Sequence, residues 1–454
     1  MTPAQKRPFL PFARMAALAL GLLPTLAAAE SLRELYDAAR AYDATYLAAR
    51  ALYDSAQYRV GQAEALNKPN VGLTANATRT DVDVPATVSQ GVTIPNTAGH
   101  RYTNRVDAGV NATQSLYNRT NSVVIEQARR AYEAAQSDLE TAEQDLIVRV
   151  AQAYFDVLAA QDTLSAAQAG KTAIAEQLAS AKRNFEVGTA TITDTREAQA
   201  RFDLATAGVI SGENDLLTKR ILLFQLVGRA GVTPKPLAAP VILPEVAPSD
   251  VNVWVNAADQ QHPLVRKSRV ALDIAKLETQ RARAAEGPTV DLVGSVGTLH
   301  ATGTNTPTPG TTSSAVVGLQ LRMPLYTGGL TQNRIKETLS LEDKALNDLE
   351  ASRRGVAQGT RVVFWGLQSG RAQVSALEAA ESSSKLALEA TQLGYRVGVR
   401  VNIDVLNAQT QLFTTQRDLA RARYDVVVNG LRLRQASGQL RPEDVDAVNA
   451  LLER

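Results

Sequence analysis

The sequence contains no cysteine in 454 residues, and it contains only three histidines. Without thiols, the chain can form no disulfide, no cysteine-ligated zinc site and no thiol nucleophile. No carboxylates stand at metal-ligand spacing near His100, His262 or His300, so we expect solvated histidines. Aromatic residues make up only 5% of the chain, which argues against a large globular core packed with rings. These absences exclude thiol chemistry and leave no candidate metal site, and we expect no cofactor.

An excess of charge of one sign is also lacking. The chain has 48 lysines and arginines against 46 acidic residues, a net charge of +2. Residues 1–29 hold three of the basic residues and no acidic ones, so their removal leaves 45 basic and 46 acidic side chains. Nucleic-acid binding depends on surplus positive charge, and we therefore expect no nucleic-acid partner.

The first 29 residues have the pattern of a secretory signal peptide. Lys6, Arg7 and Arg14 precede an apolar run from Met15 to Leu26, and small residues follow as far as Ala29. A mitochondrial presequence is the weaker interpretation because the apolar run is uniform. We expect cleavage after Ala29 and export of the mature chain. No later run of 18 apolar residues occurs, so the exported chain should be either soluble or a membrane β-barrel.

The chain contains an internal duplication, which indicates two copies of one domain. Residues 185–194 match residues 395–404 at an offset of 210, including a shared aromatic-x-Val-Gly start and a final Asp. Leu116-Tyr117 matches Leu325-Tyr326 at an offset of 209, whereas Pro69 matches Pro288 at 219. The ten-residue difference falls between residues 74 and 113, where the first copy should carry a longer loop.

Each copy is predicted to contain a helix, two strands, a long helix and a second helix. Residues 31–67 are helical in composition, and apolar residues then alternate with polar ones from Val71 to Ala77. The long stretches 119–187 and 331–395 contain no proline, and each would make a helix of about 100 Å. The first repeat is predicted to cover residues 30–227, with strands at about 70–79 and 105–117, the long helix 119–187 and a helix at 195–227. An equatorial linker follows at 228–257. The second repeat is predicted to cover residues 258–437, with strands at about 289–298 and 315–326, the long helix 331–395 and a helix at 403–437, and an equatorial C-terminal segment covers 438–454.

Four strands of about ten residues have the length and alternation of outer-membrane barrel strands, which are tilted and cover about 25 Å. Four strands cannot close a barrel, and an open edge in lipid would leave backbone groups without partners. Two, three or four copies would therefore have to share one barrel. The alternative is a soluble periplasmic protein in which the strands form a small sheet.

Several motifs resemble the TolC family of outer-membrane efflux and type I secretion channels, over nearly the whole mature chain. They are Pro324-Leu325-Tyr326-x-Gly328-Gly329, Tyr395-x-Val397-Gly398-x-Arg400-x-x-Ile403-Asp404, Phe185-x-Val187-Gly188 and Ala436-Ser437-Gly438-x-Leu440. The resemblance implies a homotrimer with a shared 12-stranded outer-membrane β-barrel, a long periplasmic α-helical barrel and an equatorial α/β belt. It also implies that the protein is not an enzyme, and that its partners are a periplasmic adaptor and an inner-membrane ABC or proton-driven transporter. A periplasmic coiled-coil scaffold or adaptor without a channel is the alternative function, and the cargo stays open between a secreted protein and drugs.

The resemblance places a gate at the periplasmic tip, where the helical hairpins turn. It implies that Tyr395 and Arg400 bind the neighbouring hairpin around Thr193 and Asp194 and hold the tip closed. Such charge-assisted bonds can be broken when a helix slides. For Asp194 the alternative is a helix cap together with Glu197, and for Tyr395 it is simple packing at a turn.

The resemblance also places Asp404 in an acidic ring at the pore entrance, where three carboxylates would select cations. Some family members carry a second acid one helical turn later, but this chain has Asn407 there, which predicts weaker selectivity. The alternative for Asp404 is a favourable position in the first turn of a helix. Tyr117 and Tyr326 are expected either at the periplasmic lipid interface or buried at the strand–helix junction. We expect Tyr154, Phe155, Phe364 and Trp365 to be packing residues of the helical wall.

Overall fold

The computed structural model describes residues 30–85, 88–93 and 98–453. The predicted signal peptide and its cleavage site after Ala29 lie outside the described residues, apart from Glu30. Within the described ranges the first copy contains α1 (Leu32–Tyr42), α2 (Ala44–Glu64), β1 (Asn70–Val84), β2 (Val88–Ser89), β3 (Val92–Thr93), β4 (Gly99–Asn118), α3 (Arg119–Glu186) and α4 (Ile192–Val227). The second copy contains α5 (Val251–Gln261), α6 (Pro263–Ala284), β5 (Thr289–Thr302), β6 (Gly310–Arg322), α7 (Leu330–Arg396) and α8 (Asn402–Ala436), and α9 (Glu443–Asn449) follows.

The helix before each strand pair is broken in two, whereas one helix was expected over 31–67. Asp43 adopts an extended conformation between α1 and α2, and its carboxylate accepts a hydrogen bond from the Tyr46 backbone N–H at 2.8 Å. Asp43 therefore ends one helix and caps the next. In the second copy His262 lies between α5 and α6, where Pro263 is the first helical residue. The predicted boundary at 257–258 was wrong, because it falls inside α5.

All four main strands extend into segments that were expected to lie between the strands. β1 continues to Val84, β4 begins at Gly99, β5 continues to Thr302, and β6 begins at Gly310. In the extension of β1, Val82 and Val84 alternate with polar residues but are out of phase with Val71 to Ala77, and the added residues of β4 and β6 are mostly polar, so no continuous alternation marked these strands. At its other end β6 stops earlier than expected, at Arg322, so Tyr326 lies outside the strand. Pro324 lacks a backbone N–H and cannot extend the ladder.

The four strands form one antiparallel sheet in the order β1-β4-β5-β6. The register aligns the alternating residues into two continuous faces, because Leu73 pairs with Val110, Val110 with Val296, and Val296 with Ala315. One face is apolar across all four strands, whereas the opposite face carries polar residues such as Asn76. An irregularity in the pairing between Ser115 and Tyr117 places Tyr117 opposite Val290, on the apolar face.

The long helices pack side by side and extend away from the sheet. α3 has 68 residues and α7 has 67, which corresponds to about 100 Å each. α3 packs against α4 and α8 at one end and against α2 and α6 at the other, and α7 packs against α6 and α8. Of the helices in the described ranges, none is long and apolar enough to cross a membrane.

The main core lies halfway along the long helices, where α1, α9 and the linker wrap around α3, α4 and α8. Tyr154 is fully buried there, and its hydroxyl donates to the Lys235 carbonyl at 2.9 Å. Phe155 stacks on Tyr424 with the ring centroids 5.6 Å apart. Tyr154, Phe155 and Phe364 are packing residues as expected, but Trp365 is 56% exposed on the single chain.

Candidate functional site

The six residues that the sequence assigns to the gate and pore entrance lie around the turns of two helical hairpins. We call these residues the tip site: Thr193, Asp194, Tyr395, Arg400, Asp404 and Asn407. The α3–α4 turn and the α7–α8 turn have the same conformation. The Asn184 carbonyl accepts hydrogen bonds from the backbone N–H groups of Thr189 and Ala190, and the Gly394 carbonyl does so from the equivalent pair in the second copy.

Each turn contains a glycine in the left-handed region, with φ of 80° at Gly188 and 79° at Gly398. A glycine adopts this conformation without the steric cost that a Cβ would add, which explains the repeated Val-Gly pair. The duplicated sequence thus produces two turns with the same backbone hydrogen bonds and the same left-handed glycine.

Tyr395 connects the second hairpin to the first. Its hydroxyl accepts a hydrogen bond from Asn184 Nδ2 at 3.1 Å, and its side chain is half-buried between the helices. The bond joins the last turn of α7 to the last turn of α3. Tyr395 therefore both packs and makes a specific polar contact, so the two interpretations of this residue are compatible.

Asp194 caps its own helix, but with a different partner from the one expected. The N-cap of α4 is Thr191, and the Asp194 carboxylate accepts hydrogen bonds from the Thr191 backbone N–H at 2.9 Å and hydroxyl at 2.7 Å. The predicted cap of Asp194 with Glu197 was wrong because α4 begins at Ile192, three residues earlier than expected. Thr193 is exposed, and its side chain makes no hydrogen bond to any described residue.

In the single chain the Arg400 side chain points toward α8, the helix that follows it. Its Nη1 lies 3.6 Å from Asp404 Oδ2, and both side chains are partly exposed. The aliphatic part of Arg400 packs over Gly394, where an added Cβ would lie 2.8 Å from Arg400 Cγ. A contact from Arg400 to Thr193 or Asp194 of another hairpin stays a prediction.

The second hairpin lacks the cap of the first. Val401 occupies the N-cap position of α8 and offers no side-chain acceptor, so Asp404 has no hydroxyl partner there and instead faces Arg400. Asn407 lies one turn further along α8, and its Oδ1 accepts a hydrogen bond from Arg201 Nη2 of α4 at 3.1 Å. Asp404 thus carries the charge at the start of α8, while Asn407 ties α8 to the other hairpin.

Side-chain pairs that sequence reasoning missed join the two hairpins. Besides Asn184–Tyr395 and Arg201–Asn407, Gln177 of α3 donates to Asn402 of α8. Each pair joins residues more than 200 positions apart, and the partners are not equivalents in the two copies. The sequence offers no signal for them because amide side chains at helix ends are ordinarily solvated or local caps.

A polar cavity of about 190 Å³ lies further along the helices, between α3, α4 and α8. Asp156 accepts a hydrogen bond from Lys219 Nζ at 3.0 Å at its edge. Burial and the nearby Asp156 carboxylate raise the pKa of Asp425 above its usual range. Asp425 lies 21 positions after Asp404 in the chain, so this cavity belongs to the helical wall and not to the tip site.

The histidines are less isolated than the sequence suggests. His100 lies between Asp81 and Asp83, with Nδ1 2.9 Å from Asp83 Oδ1 and Nε2 3.3 Å from Asp81 Oδ1. Strand pairing brings these residues of different segments together, and His100 is nevertheless exposed to solvent, as expected. Among the residues that the structure describes, no group of three His, Asp or Glu side chains is placed to hold a metal ion.

Comparison with known proteins agrees with this architecture. The family model described as "Outer membrane efflux protein" matches residues 35–229 and 254–439, which are the two copies. The chain is 32% identical over 441 residues to the outer membrane protein TolC of Vibrio cholerae, covering 96% of this chain and 97% of that protein. It is also 32% identical over 311 residues to the alkaline protease secretion protein AprF of Pseudomonas aeruginosa, covering 68% and 64% of the two chains.

A solved structure confirms the fold. The crystal structure of the CmeC outer membrane channel of Campylobacter jejuni aligns with a TM-score of 0.75, over 99% of this chain and 98% of that one, at 15% sequence identity. The chain belongs to the outer membrane efflux protein family, and its fold is that of TolC. It is a non-enzymatic outer-membrane efflux channel of Gram-negative bacteria, of the kind that serves tripartite efflux and type I secretion systems. Channels of this family form trimers in tripartite pumps.

Proposed function

We propose that three copies of this chain form one continuous duct through which cargo leaves the cell. The observation that carries the proposal is the sheet with two free edges. β1 and β6 each pair with only one strand among the described residues, and the apolar face continues to both edges. In lipid, the unpaired backbone groups of these edges require partners, which β1 and β6 of adjacent copies can supply. Three copies give a closed barrel of twelve strands.

The free helix surfaces support the same assembly. α4 presents large apolar residues that no described residue covers, and α7 does likewise on the side away from α6 and α8. These residues are Leu204, Ile210, Leu217 and Ile221 on α4, and Val362, Trp365 and Leu386 on α7. An exposed apolar stripe of this length favours burial against another copy. Packing α4 of one chain against α7 of the next closes the helical tube and covers Trp365.

The apolar face of the sheet is the surface that would meet outer-membrane lipid. Leu73, Val317 and Leu319 are at least 70% exposed on it. Tyr117 shares this face and lies at the end nearest the helices. Its position supports the prediction of an aromatic residue at the periplasmic lipid interface. Tyr326 is 88% exposed in the turn that follows β6.

The tip site would form the gate at the opposite end of the duct, and the hairpins would meet a periplasmic adaptor and an inner-membrane ABC or proton-driven transporter. This placement requires export to the periplasm, for which residues 1–29 would act as a signal peptide cleaved after Ala29. The similarity to a protease secretion protein makes a secreted protein one candidate cargo, and efflux of small molecules is the other. Deletion of the gene, followed by assays of secreted proteins and of antibiotic sensitivity, separates the two.

The assembly is tested by its mass. We expect the full-length protein, extracted from outer membranes with detergent, to be a trimer by native mass spectrometry and to dissociate on heating. The physical reason is that the strand edges and the α4 and α7 surfaces are buried only between copies. A monomer recovered in the soluble periplasmic fraction would contradict the proposal.

The pore entrance is tested by Asp404→Asn. We expect a lower preference for cations over anions and weaker block by divalent cations in planar bilayers, because three carboxylates near one axis would lose their charge. Asp203→Asn on the exposed face of α4 is a matched control that should leave both properties unchanged. If Asp404→Asn behaves like the control, Asp404 lies away from the axis and serves only the helix start.

A further inference from the structure

Glu30 is the residue that becomes the N-terminus if residues 1–29 are removed, and its backbone is firmly held. Its N–H donates to the Thr233 carbonyl at 2.9 Å, and its carbonyl accepts from Lys235 N–H at 3.3 Å. The Tyr154 hydroxyl lies 3.2 Å from the same carbonyl and shares its proton between this oxygen and the Lys235 carbonyl. Residue 30 forms a parallel bridge with residue 234. The nitrogen of Glu30 thus has a defined place beside the main core, in the layer formed by α1, α9 and linker residues 228–250, which we call the belt.

The Glu30 side chain contains a buried acceptor without a donor. Its Oε2 is inaccessible to solvent and makes no hydrogen bond with any described residue, although the side chain as a whole is 29% exposed. Arg229 Nη1 forms a long ion pair with it at 3.9 Å, which is too far for a hydrogen bond. The neighbouring Glu34 carboxylate has its own donor, the Ser31 N–H at 2.8 Å. A buried carboxylate oxygen without a hydrogen-bond donor is unfavourable, so a further N–H at this place would stabilise the folded chain.

Removal of residues 1–29 supplies such donors. Hydrolysis of the Ala29–Glu30 peptide bond adds the hydroxyl of one water molecule to the Ala29 carbonyl carbon and its proton to the Glu30 nitrogen. An α-amino group has a pKa of about 7.7–8.0, so it binds a further proton at neutral pH. An amide with one N–H becomes an ammonium group with three, while the Thr233 carbonyl needs only one of them.

We infer that the α-ammonium group of Glu30 is a structural ion of the belt, bound by the Thr233 carbonyl and the Glu30 carboxylate. The inference rests on the proposed cleavage after Ala29. In the precursor the same nitrogen is a neutral amide, which leaves the carboxylate oxygen without a donor. Proteolytic processing therefore completes the polar contacts of the belt, and the precursor is the less stable form.

The test is a titration of the α-amino group in the mature trimer in detergent. Its N-terminus is first determined by mass spectrometry, and the pKa of the unmodified amine is then obtained from the pH dependence of its rate of acetylation by trace acetic anhydride. We expect a pKa at least one unit above the ordinary value, which is a tenfold stronger retention of the proton. Glu30→Gln should return it to the ordinary range, whereas Glu213→Gln on the exposed face of α4 should not. An ordinary pKa in the wild type, or no change with Glu30→Gln, overturns the inference while leaving the channel intact.

The pH dependence of stability gives an independent readout. Because the folded-state pKa is raised, the contribution of the ammonium is fully present below the unfolded-state pKa of about 8 and is lost as the pH rises through the folded-state value. The wild-type trimer should be more stable than Glu30→Gln at pH values below about 8 and should lose this difference as the pH rises through the folded-state pKa. Parallel curves of stability against pH for the two proteins would contradict the inference. An N-terminus other than Glu30 overturns both the inference and the proposed cleavage site, which mass spectrometry reveals before any titration.

Discussion

Replacing Tyr395 by Phe together with Arg400 by Ser is expected to open the channel. The substitution Tyr395→Phe removes the acceptor of Asn184 Nδ2, and Arg400→Ser removes the guanidinium that faces Asp404 and packs on Gly394. A neutral hydrogen bond contributes about 0.5–1.5 kcal/mol. A loss of about 1 kcal/mol in each of three chains that open together amounts to about 3 kcal/mol, or about a hundredfold shift in the gate equilibrium.

The measurement is single-channel conductance in planar bilayers, combined with the sensitivity of cells to large antibiotics. The pair Tyr58→Phe with Arg59→Ser on α2 makes the same chemical changes far from the tip site and should leave both properties at wild-type values. Trimer yield should be unchanged in both variants because the sheet and the helix packing are not altered. Wild-type conductance of an intact Tyr395→Phe, Arg400→Ser trimer would show that these residues only pack.

Gly438→Ala is expected to destabilise the protein strongly, although the substitution adds only one methyl group. Gly438 follows α8 with φ of 72°, and a Cβ would lie 2.5 Å from His262 Cα and 2.6 Å from His262 N. The left-handed conformation costs a non-glycine residue about 1–2 kcal/mol. The overlap adds about 1–3 kcal/mol, because backbone atoms cannot move aside as a side-chain end can.

Gly398→Ala is the matched control for this prediction. Gly398 has φ of 79°, but nothing lies within 4 Å of the added Cβ, so only the conformational cost applies. We expect the thermal midpoint of trimer dissociation, followed by circular dichroism and gel mobility, to fall by several degrees more for Gly438→Ala than for Gly398→Ala. Equal midpoints would mean that α8 can separate from the α5–α6 junction without loss of stability.

The duplication, the long helices and the paired strands could be predicted because each depends on local periodicity. Alternating residues such as Val71 and Leu73 indicate a strand by themselves, and the absence of proline from α3 and α7 leaves a helix uninterrupted. The repeated Val-Gly pair predicts equivalent turns because the left-handed residue is required by the turn itself.

Errors arose where the local pattern was ambiguous. The first residues of β4 are mostly polar, and at the end of β1 the apolar residues Val82 and Val84 are out of phase with Val71 to Ala77, so no continuous alternation marks these segments as strands. The break at Asp43 was missed because a single Asp inside an Ala-rich stretch has no effect on helical periodicity. Asp194 was expected to be the N-cap, although Thr191 was equally suited by residue type.

The tip site shows most clearly which features the sequence determines and which ones only the tertiary structure decides. The sequence by itself determined which residues lie at the hairpin turns, because the duplicated motif places Tyr395, Arg400 and Asp404 close together around one turn. Only the tertiary structure decided their partners: Asn184 for Tyr395, Arg201 for Asn407 and Thr191 for Asp194. The physical reason is that a turn or helix depends on neighbours within a few residues. The pairs that join the hairpins depend instead on how two helices more than 200 residues apart are packed, which no short-range pattern encodes.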